Sequence, residues 1–176
     1  MTKLELKNVS KTFDRMDLNE KTHALKDINL SIKNNEFISI VGPSGCGKST
    51  LLRLISGLIK PSVGEILLDG KKVQGPSSRK GMVFQKPTLF PWLTVKENVG
   101  FSGTLKGESY ISDENIYDLL ERVDLKDFKN SYPKQLSGGM AQRVSLIRTM
   151  VNKPEIFLLD EPLASLDAFT RMDMQD

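Results

Sequence analysis

Residues 42–49 read Gly-Pro-Ser-Gly-Cys-Gly-Lys-Ser and match every fixed position of the phosphate-binding pattern G-x-x-x-x-G-K-[S/T]. The glycines allow a tight turn in which several backbone N–H groups point at one phosphate chain. Lys48 would supply a full positive charge to the β- and γ-phosphates, and the hydroxyl of Ser49 would ligate Mg²⁺. A glycine-rich turn without a ligand is the alternative, but a chance match to this pattern is rare in a chain of this length. We therefore interpret this segment as a nucleotide-binding loop.

The sequence on either side of the loop predicts a strand before it and a helix after it. Residues 37–41 form a nearly continuous apolar run rich in β-branched residues, which is typical of a central strand covered on both faces. After the loop, apolar residues recur on one helical face at Leu51, Leu54, Ile55 and Leu58. Pro61 follows as a stop. Strand, loop and helix in this order are the context that the loop pattern requires.

Elsewhere the patterns predict short strands. Alternation at period two marks residues 4–9 and 28–32 as half-buried strands. Residues 65–70 read as a strand that runs into an Asp-Gly turn, which is a hairpin signal. Two short apolar runs, 82–85 and 156–159, complete the predicted strands.

Between those last two strands the pattern becomes helical. Helical spacing dominates from Thr94 to about Val144, and one stripe consists of Ile116, Leu119, Leu120 and Val123. We therefore predict an α/β fold in a single domain. Residues 1–93 and 145–176 would form the core with an N-terminal antiparallel sheet, and residues 94–144 an inserted helical subdomain.

Composition limits the class of protein. The 176 residues suffice for one domain, and the 39% apolar and 27% charged residues are ordinary for a globular protein. The net charge is +3 and the basic residues are scattered, so we expect no nucleic-acid partner. The single cysteine, Cys46, excludes an internal disulfide, and its variable position in the loop suggests no catalytic role. The N-terminus and the short apolar runs predict neither a secretory signal nor a membrane-spanning helix.

Residues 156–161 read Ile-Phe-Leu-Leu-Asp-Glu, an apolar strand that ends in two carboxylates. Asp160 would hold Mg²⁺ directly or through water, and Glu161 would polarise an attacking water. Taken alone this signal is weak, because many strands end in solvated acids. Together with the phosphate loop more than a hundred residues earlier, it indicates nucleotide hydrolysis.

Residues 136–143 read Leu-Ser-Gly-Gly-Met-Ala-Gln-Arg. Ser137 and the two glycines would open a helix that begins near Gly139, and this helix start forms a second anion site. A simple serine-glycine helix start would explain one such motif, but it does not explain three motifs in this order. The segment resembles the signature sequence of the ABC ATPases, and the resemblance covers essentially the whole chain. It implies that the anion site binds the γ-phosphate of ATP held by a partner subunit.

The resemblance also implies roles for individual residues, with ATP as the substrate and Mg²⁺ as its cofactor. The implied catalytic residues are Glu161, Gln85 and Lys48, and the implied Mg²⁺ ligands are Ser49, Gln85 and Asp160. The implied ATP contacts are Phe13, Gly42, Pro43, Ser44, Gly45, Cys46, Gly47, Lys48, Ser49 and Thr50. The contacts to the partner's ATP would be Ser137, Gly138 and Gly139, and Asp167 would lie in a loop that crosses the dimer interface. Phe13 would stack on adenine, although core packing explains an aromatic residue there equally well.

Residues 85–95 are similar to the importers of nitrate, sulfonates, taurine and related small solutes. In such proteins the segment after the glutamine contacts a helix of the membrane permease, so Trp92 is expected to be an exposed contact, whereas Phe90 fits a core position as well. The resemblance implies ATP hydrolysis that drives solute import. The implied partners are a second ATPase subunit in a homodimer, the permease subunits and a separate solute-binding protein, and the implied place is the cytoplasmic face of the membrane.

One part of the family pattern is missing from this sequence. The family carries a switch histidine after a further core strand, whereas the sequence ends fifteen residues after Glu161 and its only histidine, His23, lies upstream in a loop-like context. That further strand lies between the phosphate-loop strand and the 156–159 strand, so we expect both to lose a shared neighbour. We therefore expect a fragment that folds marginally and hydrolyses little ATP. Two alternatives stay open: a soluble ABC ATPase without a transporter, and a remnant that binds nucleotide without turnover.

Overall fold

The computed structural model describes residues 2–15, 20–106 and 111–162. The chain divides into two compact units, Met1–Ser77 and Ser78–Asp176. The phosphate loop belongs to the first unit, and the Asp160-Glu161 pair and the signature segment belong to the second.

The first unit is built on a four-stranded antiparallel sheet in the order β2-β1-β3-β4. Its strands are β1 (Thr2–Arg15), β2 (Glu20–Lys33), β3 (Val63–Leu68) and β4 (Lys71–Lys72). The turn between β3 and β4 is Asp69-Gly70, and both residues have positive φ, 48° and 72°. The predicted N-terminal antiparallel sheet, its three strands and the Asp-Gly hairpin are thus confirmed.

Strand β1 changes the face that it buries at a bulge. Leu4 and Leu6 are buried, as period-two alternation predicts, but the next buried side chain is Val9. Asn8 has a φ of 50°, and its backbone N–H donates to Oδ1 of Asn29 (2.8 Å). The extra residue shifts the alternation by one position. The sequence pattern predicts the strand but not this shift.

Helix α1 (Lys48–Ser56) follows the phosphate loop as predicted. The first three of its four predicted apolar positions are buried. The helix then ends at Gly57, whose left-handed φ of 84° lets its N–H donate to Leu54 O (3.1 Å). Leu58 therefore lies beyond the helix and is 47% exposed, which corrects its assignment to the buried face.

Residues 37–41 do not form the predicted central strand. Phe37 is 89% and Val41 90% exposed, and no described strand pairs with this segment. A strand forms only where a neighbouring backbone supplies partners for its N–H and C=O groups. Apolar composition alone therefore gave the wrong assignment here.

In the second unit, β5 (Lys80–Val83) and β6 (Ile156–Leu159) pair in parallel, with Val83 opposite Leu159. The strand predicted at 156–159 is confirmed. Strand β5 lies two residues earlier than predicted, so Gln85 follows the strand instead of closing it. Phe157 and Leu159 are 37% and 38% exposed, and among the described residues β6 pairs with β5 alone.

The described part of the second unit also contains the helices α2 (Val95–Lys106), α3 (Asp113–Arg122) and α4 (Gly138–Met150), with 3-10 turns at Lys126–Phe128 and Pro133–Gln135. Helical structure thus continues six residues past Val144. The helices share a core formed by Val95, Val99, Ile116, Leu120, Leu125, Val144 and Ile147. Across residues 2–15, 20–106 and 111–162, no helix has both the length and the apolar character needed to cross a bilayer.

Candidate nucleotide site

The phosphate loop is a turn whose lysine lies over its own backbone. Nζ of Lys48 donates to the carbonyl oxygens of Gly42 (2.9 Å) and Pro43 (3.0 Å). The N–H of Cys46 donates to Pro43 O (3.4 Å), which closes the turn. The ammonium group is therefore held by acceptors of the loop itself, at the place where phosphate oxygens would compete for it.

Gly47 is the position where the loop tolerates no side chain. Its φ is 102°, in the left-handed region. A Cβ at this position would lie 2.7 Å from Ala24 O and 2.8 Å from Cδ2 of Leu25, so strand β2 blocks it as well. The loop is thus pressed against the antiparallel sheet just where helix α1 begins.

The start of α1 supplies the remaining loop groups. Lys48, Ser49 and Thr50 form its first turn, and no acidic residue lies in that turn to oppose an anion. Pro43, Ser44, Gly45 and Cys46 are exposed, and Gly42 is partly buried. An exposed loop in front of a helix N-terminus fits the phosphate groups of a nucleotide.

In the second unit, Gln85 and Glu161 are brought together. Nε2 of Gln85 donates to Oε2 of Glu161 at 2.9 Å. The contact follows from the parallel pairing of β5 and β6, because residues just beyond paired parallel strands lie at the same sheet edge. Both side chains are exposed, so the pair is open to water.

Asp160 lies beside this pair in a different environment. Its side chain is 6% exposed, and its backbone N–H continues the ladder by donating to Val83 O (3.0 Å). Glu161, the next residue, has a left-handed φ of 49°, which is uncommon outside glycine. Such conformations cost roughly 1–3 kcal/mol and cluster at functional sites.

The donor set fits Mg²⁺. Within the second unit, Asp160 offers a carboxylate and Gln85 an amide oxygen, which are oxygen ligands that this ion prefers. Ser49, in the first unit, carries a hydroxyl, an oxygen ligand as well. The amide nitrogen of Gln85 is the atom bonded to Glu161, so its oxygen is the atom suited to a cation. Among the described residues, no cluster of three or more His, Cys, Asp or Glu side chains forms a site for another metal.

The signature segment starts helix α4 as predicted. Ser137 is the N-cap, and its Oγ accepts from the N–H of Met140 (3.2 Å). Gly138 and Gly139 form the first helical positions, and Ser137 and Gly138 are exposed. Without side chains at Gly138 and Gly139, an anion can approach the helix N-terminus closely.

The three aromatic candidates, Phe13, Phe90 and Trp92, differ in their exposure to solvent. Phe13 is 40% exposed on β1 with Nζ of Lys11 5.0 Å from its ring centroid, so it is not a core residue. Trp92 is 68% exposed, whereas Phe90 is partly buried and lies 4.3 Å from Phe101 between ring centroids. The expected exposure of Trp92 is confirmed.

Two further predicted residues, His23 and Asp167, do not lie in the described parts of the site. His23 is exposed as expected, but it lies in strand β2 instead of a loop, with Nδ1 3.2 Å from Oγ1 of Thr12. Asp167 and its loop lie outside the described residues.

The structure adds two side chains to which the sequence reasoning gave no role. Asn98 is fully buried and binds the backbone of the segment that carries Trp92, with Nδ2 donating to Phe90 O (3.1 Å) and Leu93 O (3.0 Å). Gln142 is 3% exposed and donates to Phe84 O, next to Gln85. An amide at an inward helical position is the sequence signal that points to both.

Comparison with known proteins identifies the family of the chain. The family model described as ABC transporter matches residues 25–164. The taurine import ATP-binding protein of Roseobacter denitrificans is 44% identical over 176 residues, which is 99% of this chain and 65% of that protein. The aliphatic sulfonates import ATP-binding protein of Bacillus licheniformis is 46% identical over 156 residues, 89% of this chain and 60% of that protein.

Solved structures agree with this result. A dimeric ATP-binding cassette in a post-hydrolysis state, bound to ADP and Pi, has a TM-score of 0.86 and 39% identity. The match covers 97% of this chain and 79% of that one. The predicted α/β cassette fold is thereby confirmed. The chain spans about two thirds, 65%, of the length of the first curated relatives that it matches.

Proposed function

Because the chain belongs to the ABC transporter family, we propose that it binds and hydrolyses ATP to energise the import of a small solute through a membrane permease. The observation that carries this proposal is the 2.9 Å contact between Gln85 and Glu161 beside the buried Asp160. A carboxylate held by an amide, next to a candidate Mg²⁺ ligand, is the arrangement that water activation needs.

The phosphate loop would bind the triphosphate. Phosphate oxygens would replace the carbonyls of Gly42 and Pro43 as partners of Lys48, since a charge-assisted bond to an anion is stronger than one to a neutral carbonyl. The backbone N–H groups at the start of α1 would hold the same phosphates. Phe13, exposed on β1, would stack on the adenine ring.

Hydrolysis would use the carboxyl ends of β5 and β6. Glu161 would accept the proton of the attacking water, and the amide of Gln85 would orient both the carboxylate and the water. Ser49, Gln85 and Asp160 would hold Mg²⁺, which when bound neutralises the charge that develops on the phosphates. Ser137, Gly138 and Gly139 would receive the γ-phosphate bound by a second copy, so the active form would be a homodimer, with Asp167 at its interface.

Import would require contact with a permease. We propose that Trp92 makes this contact, because a 68% exposed tryptophan on a segment anchored by Asn98 is typical of an interaction site. The subunit would then sit at the cytoplasmic face of the membrane and depend on a separate binding protein for its solute. The names of the relatives support taurine or an aliphatic sulfonate as the solute, and nitrate is proposed from the sequence resemblance alone. The division into a core and a helical subdomain at 94–144 stays a proposal.

The test of hydrolysis is a comparison of two acid-to-amide variants in the gene product, including whatever residues its reading frame encodes beyond position 176. Glu161→Gln should leave ATP binding intact and lower hydrolysis by about 10²-fold or more. The matched control is Glu114→Gln, an exposed acid on α3, which should change neither quantity. Equal turnover in both variants would remove Glu161 from the mechanism.

The transport part is tested in cells. Deleting the gene should abolish uptake of radiolabelled taurine, an alkanesulfonate or nitrate, and Trp92→Ala should release the protein from membranes without changing its ATP binding. Unchanged uptake and no membrane association would favour a soluble ABC ATPase. Binding of ATP without turnover in the unsubstituted protein would favour a nucleotide-binding remnant.

A further inference from the structure

Helix α4 holds the backbone next to Gln85 through one buried amide. Gln142, on the second turn of the helix, is 3% exposed, and its Nε2 donates to Phe84 O at 2.9 Å. Phe84 lies one residue past the end of β5 and directly before Gln85. We propose that Gln142 is a positioning residue that fixes where Gln85 meets Glu161. This inference rests on the proposed hydrolysis of ATP.

The hydrogen bond lies where the strand ladder no longer acts. The last paired residues of β5 and β6 are Val83 and Leu159, and the N–H of Asp160 takes Val83 O. Phe84 is therefore the first residue of the segment whose carbonyl is bound by a side chain instead of the ladder. Without this bond, the strand ladder alone would not hold the carbonyl of Phe84, directly before Gln85.

Helix α4 forms a second contact with the segment that carries Gln85, on the C-terminal side of Gln85. Arg148 donates through Nη1 to Thr88 O and through Nη2 to Oγ1 of Thr88, both at 2.9 Å. Gln142 and Arg148 lie six residues apart on one helix. Two anchors on a rigid helix fix both ends of residues 84–88.

The buried amide also indicates that the bond to Phe84 is what the position requires. Oε1 of Gln142 is buried and has no hydrogen-bond partner among the described residues. An apolar side chain of similar length would avoid this unpaired oxygen. Gln142 therefore buries one unpaired oxygen, and its N–H donates to Phe84 O.

The consequence is a geometric dependence of Glu161 on α4. Gln85 reaches Glu161 through a single bond of 2.9 Å, so a shift of its backbone by about 1 Å breaks that bond or misdirects it, and misplacement of this size can reduce turnover about 10²-fold. Since α4 begins at the signature residues Ser137–Gly139, the same helix connects the second anion site with the segment that carries Gln85. Gln142 would thus hold Gln85 at a constant position relative to the second anion site.

The experiment replaces Gln142 with methionine, which keeps the length of the side chain and removes its N–H. In the gene product, including any residues encoded beyond position 176, Gln142→Met should lower kcat about tenfold or more and leave the KM for ATP within about twofold. Amide hydrogen exchange of peptides covering 84–88 should become at least severalfold faster, while exchange in the 156–159 strand stays unchanged. Arg148→Lys, which loses the two-pronged contact with Thr88, should act in the same direction with a smaller effect.

The matched control is Ser145→Ala, on the same helix. Ser145 is 4% exposed, close to the 3% of Gln142, and its hydroxyl has no hydrogen-bond partner among the described residues. This variant should change neither kcat nor exchange. A merely structural role for Gln142 would lower the melting temperature and leave kcat per folded molecule unchanged, and this result would overturn the inference.

The two proposals fail in different ways. If the unsubstituted protein hydrolyses no ATP, the proposed function fails, and exchange still decides whether Gln142 holds the segment. Equal exchange of residues 84–88 in Gln142→Met and the unsubstituted protein would overturn the inference even when hydrolysis is normal. Faster exchange with unchanged kcat would show that Gln85 needs no such anchor and would overturn it as well.

Discussion

Residues 37–41 and residues 156–159 are alike in sequence and opposite in structure. Both are short apolar runs that precede a candidate functional motif. Residues 156–159 pair with β5 and bury Leu158, whereas 37–41 pair with no described strand and leave Phe37 89% and Val41 90% exposed. The difference lies in the neighbour, because a strand needs another backbone to complete its hydrogen bonds.

A third apolar run shows another way to hold such a segment. Residues 89–93 form no strand, yet Asn98 ties them down with a side chain that is fully buried. Its Oδ1 accepts from Phe90 N (2.8 Å), and its Nδ2 donates to Phe90 O and Leu93 O. One amide thus substitutes for the partners that a neighbouring strand would provide.

The largest expected effect on stability concerns residues 156–159, which pair with β5. Leu158→Ala should lower the free energy of unfolding by about 2–5 kcal/mol, because Leu158 is 6% exposed and its removal leaves a cavity. Urea unfolding followed by circular dichroism measures this change. In the unpaired run, Val41→Ala should stay within about 0.5 kcal/mol of the unsubstituted protein. Equal losses in both variants would mean that residues 37–41 are buried in solution.

The second prediction concerns the run held by a side chain. Asn98→Leu should cost roughly 2–3 kcal/mol, since it leaves the N–H of Phe90 and the C=O of Leu93 without their partner and removes one of the two donors to Phe90 O. Fluorescence gives a local readout, because Trp92 is the only tryptophan in the sequence and lies in this segment. Its accessibility to acrylamide should change well before global unfolding. An unchanged quenching curve would show that Asn98 does not organise the segment.

The third prediction concerns helices, which form their backbone hydrogen bonds internally and need partners only at their ends. Ser112 caps α3, with Oγ accepting from Asn115 N at 3.3 Å. Ser112→Ala should therefore cost about 1 kcal/mol, less than Leu158→Ala. Ser112→Asp should retain the cap and serve as the control. A cost as large as that of Leu158→Ala would contradict this view of the helices.

The smallest effect is a pH dependence at the start of α2. Hydrogen bonds from the backbone N–H (2.7 Å) and Oγ1 (2.8 Å) of Thr94 lower the pKa of Glu97 below its ordinary value of 4.5. A lowered pKa in the folded state means that the ionised group contributes stability above pH 4.5, which is lost as the pH falls through the lowered pKa. The melting temperatures of the unsubstituted protein and Glu97→Gln should differ at pH 7 and converge as the pH falls through the lowered pKa of Glu97. A constant difference across this range would exclude the ionised carboxylate as the cause.

Much of the fold could be predicted from the sequence where the signal is local. The alternation of β1 and β2, the Asp69-Gly70 hairpin and the cap at Ser137 depend on neighbours a few residues apart. The same holds for helix α1, although Gly57 ended it before Leu58. The candidate site was predicted as a set of residue types, and the roles of these residues remain predictions.

By itself, the sequence determined the phosphate loop, the helix after it, the signature helix and the two carboxylates that follow β6. Each of these features depends on residues that are close together in the sequence. Only the tertiary structure decided that residues 37–41 stay unpaired, that Gln85 reaches Glu161, and that Gln142 and Asn98 hold backbone elsewhere in the chain. These features join residues far apart in sequence, and Gln142 is 58 residues from Phe84. The sequence pattern shows which groups seek partners, and the packing of the whole chain determines which partners they find.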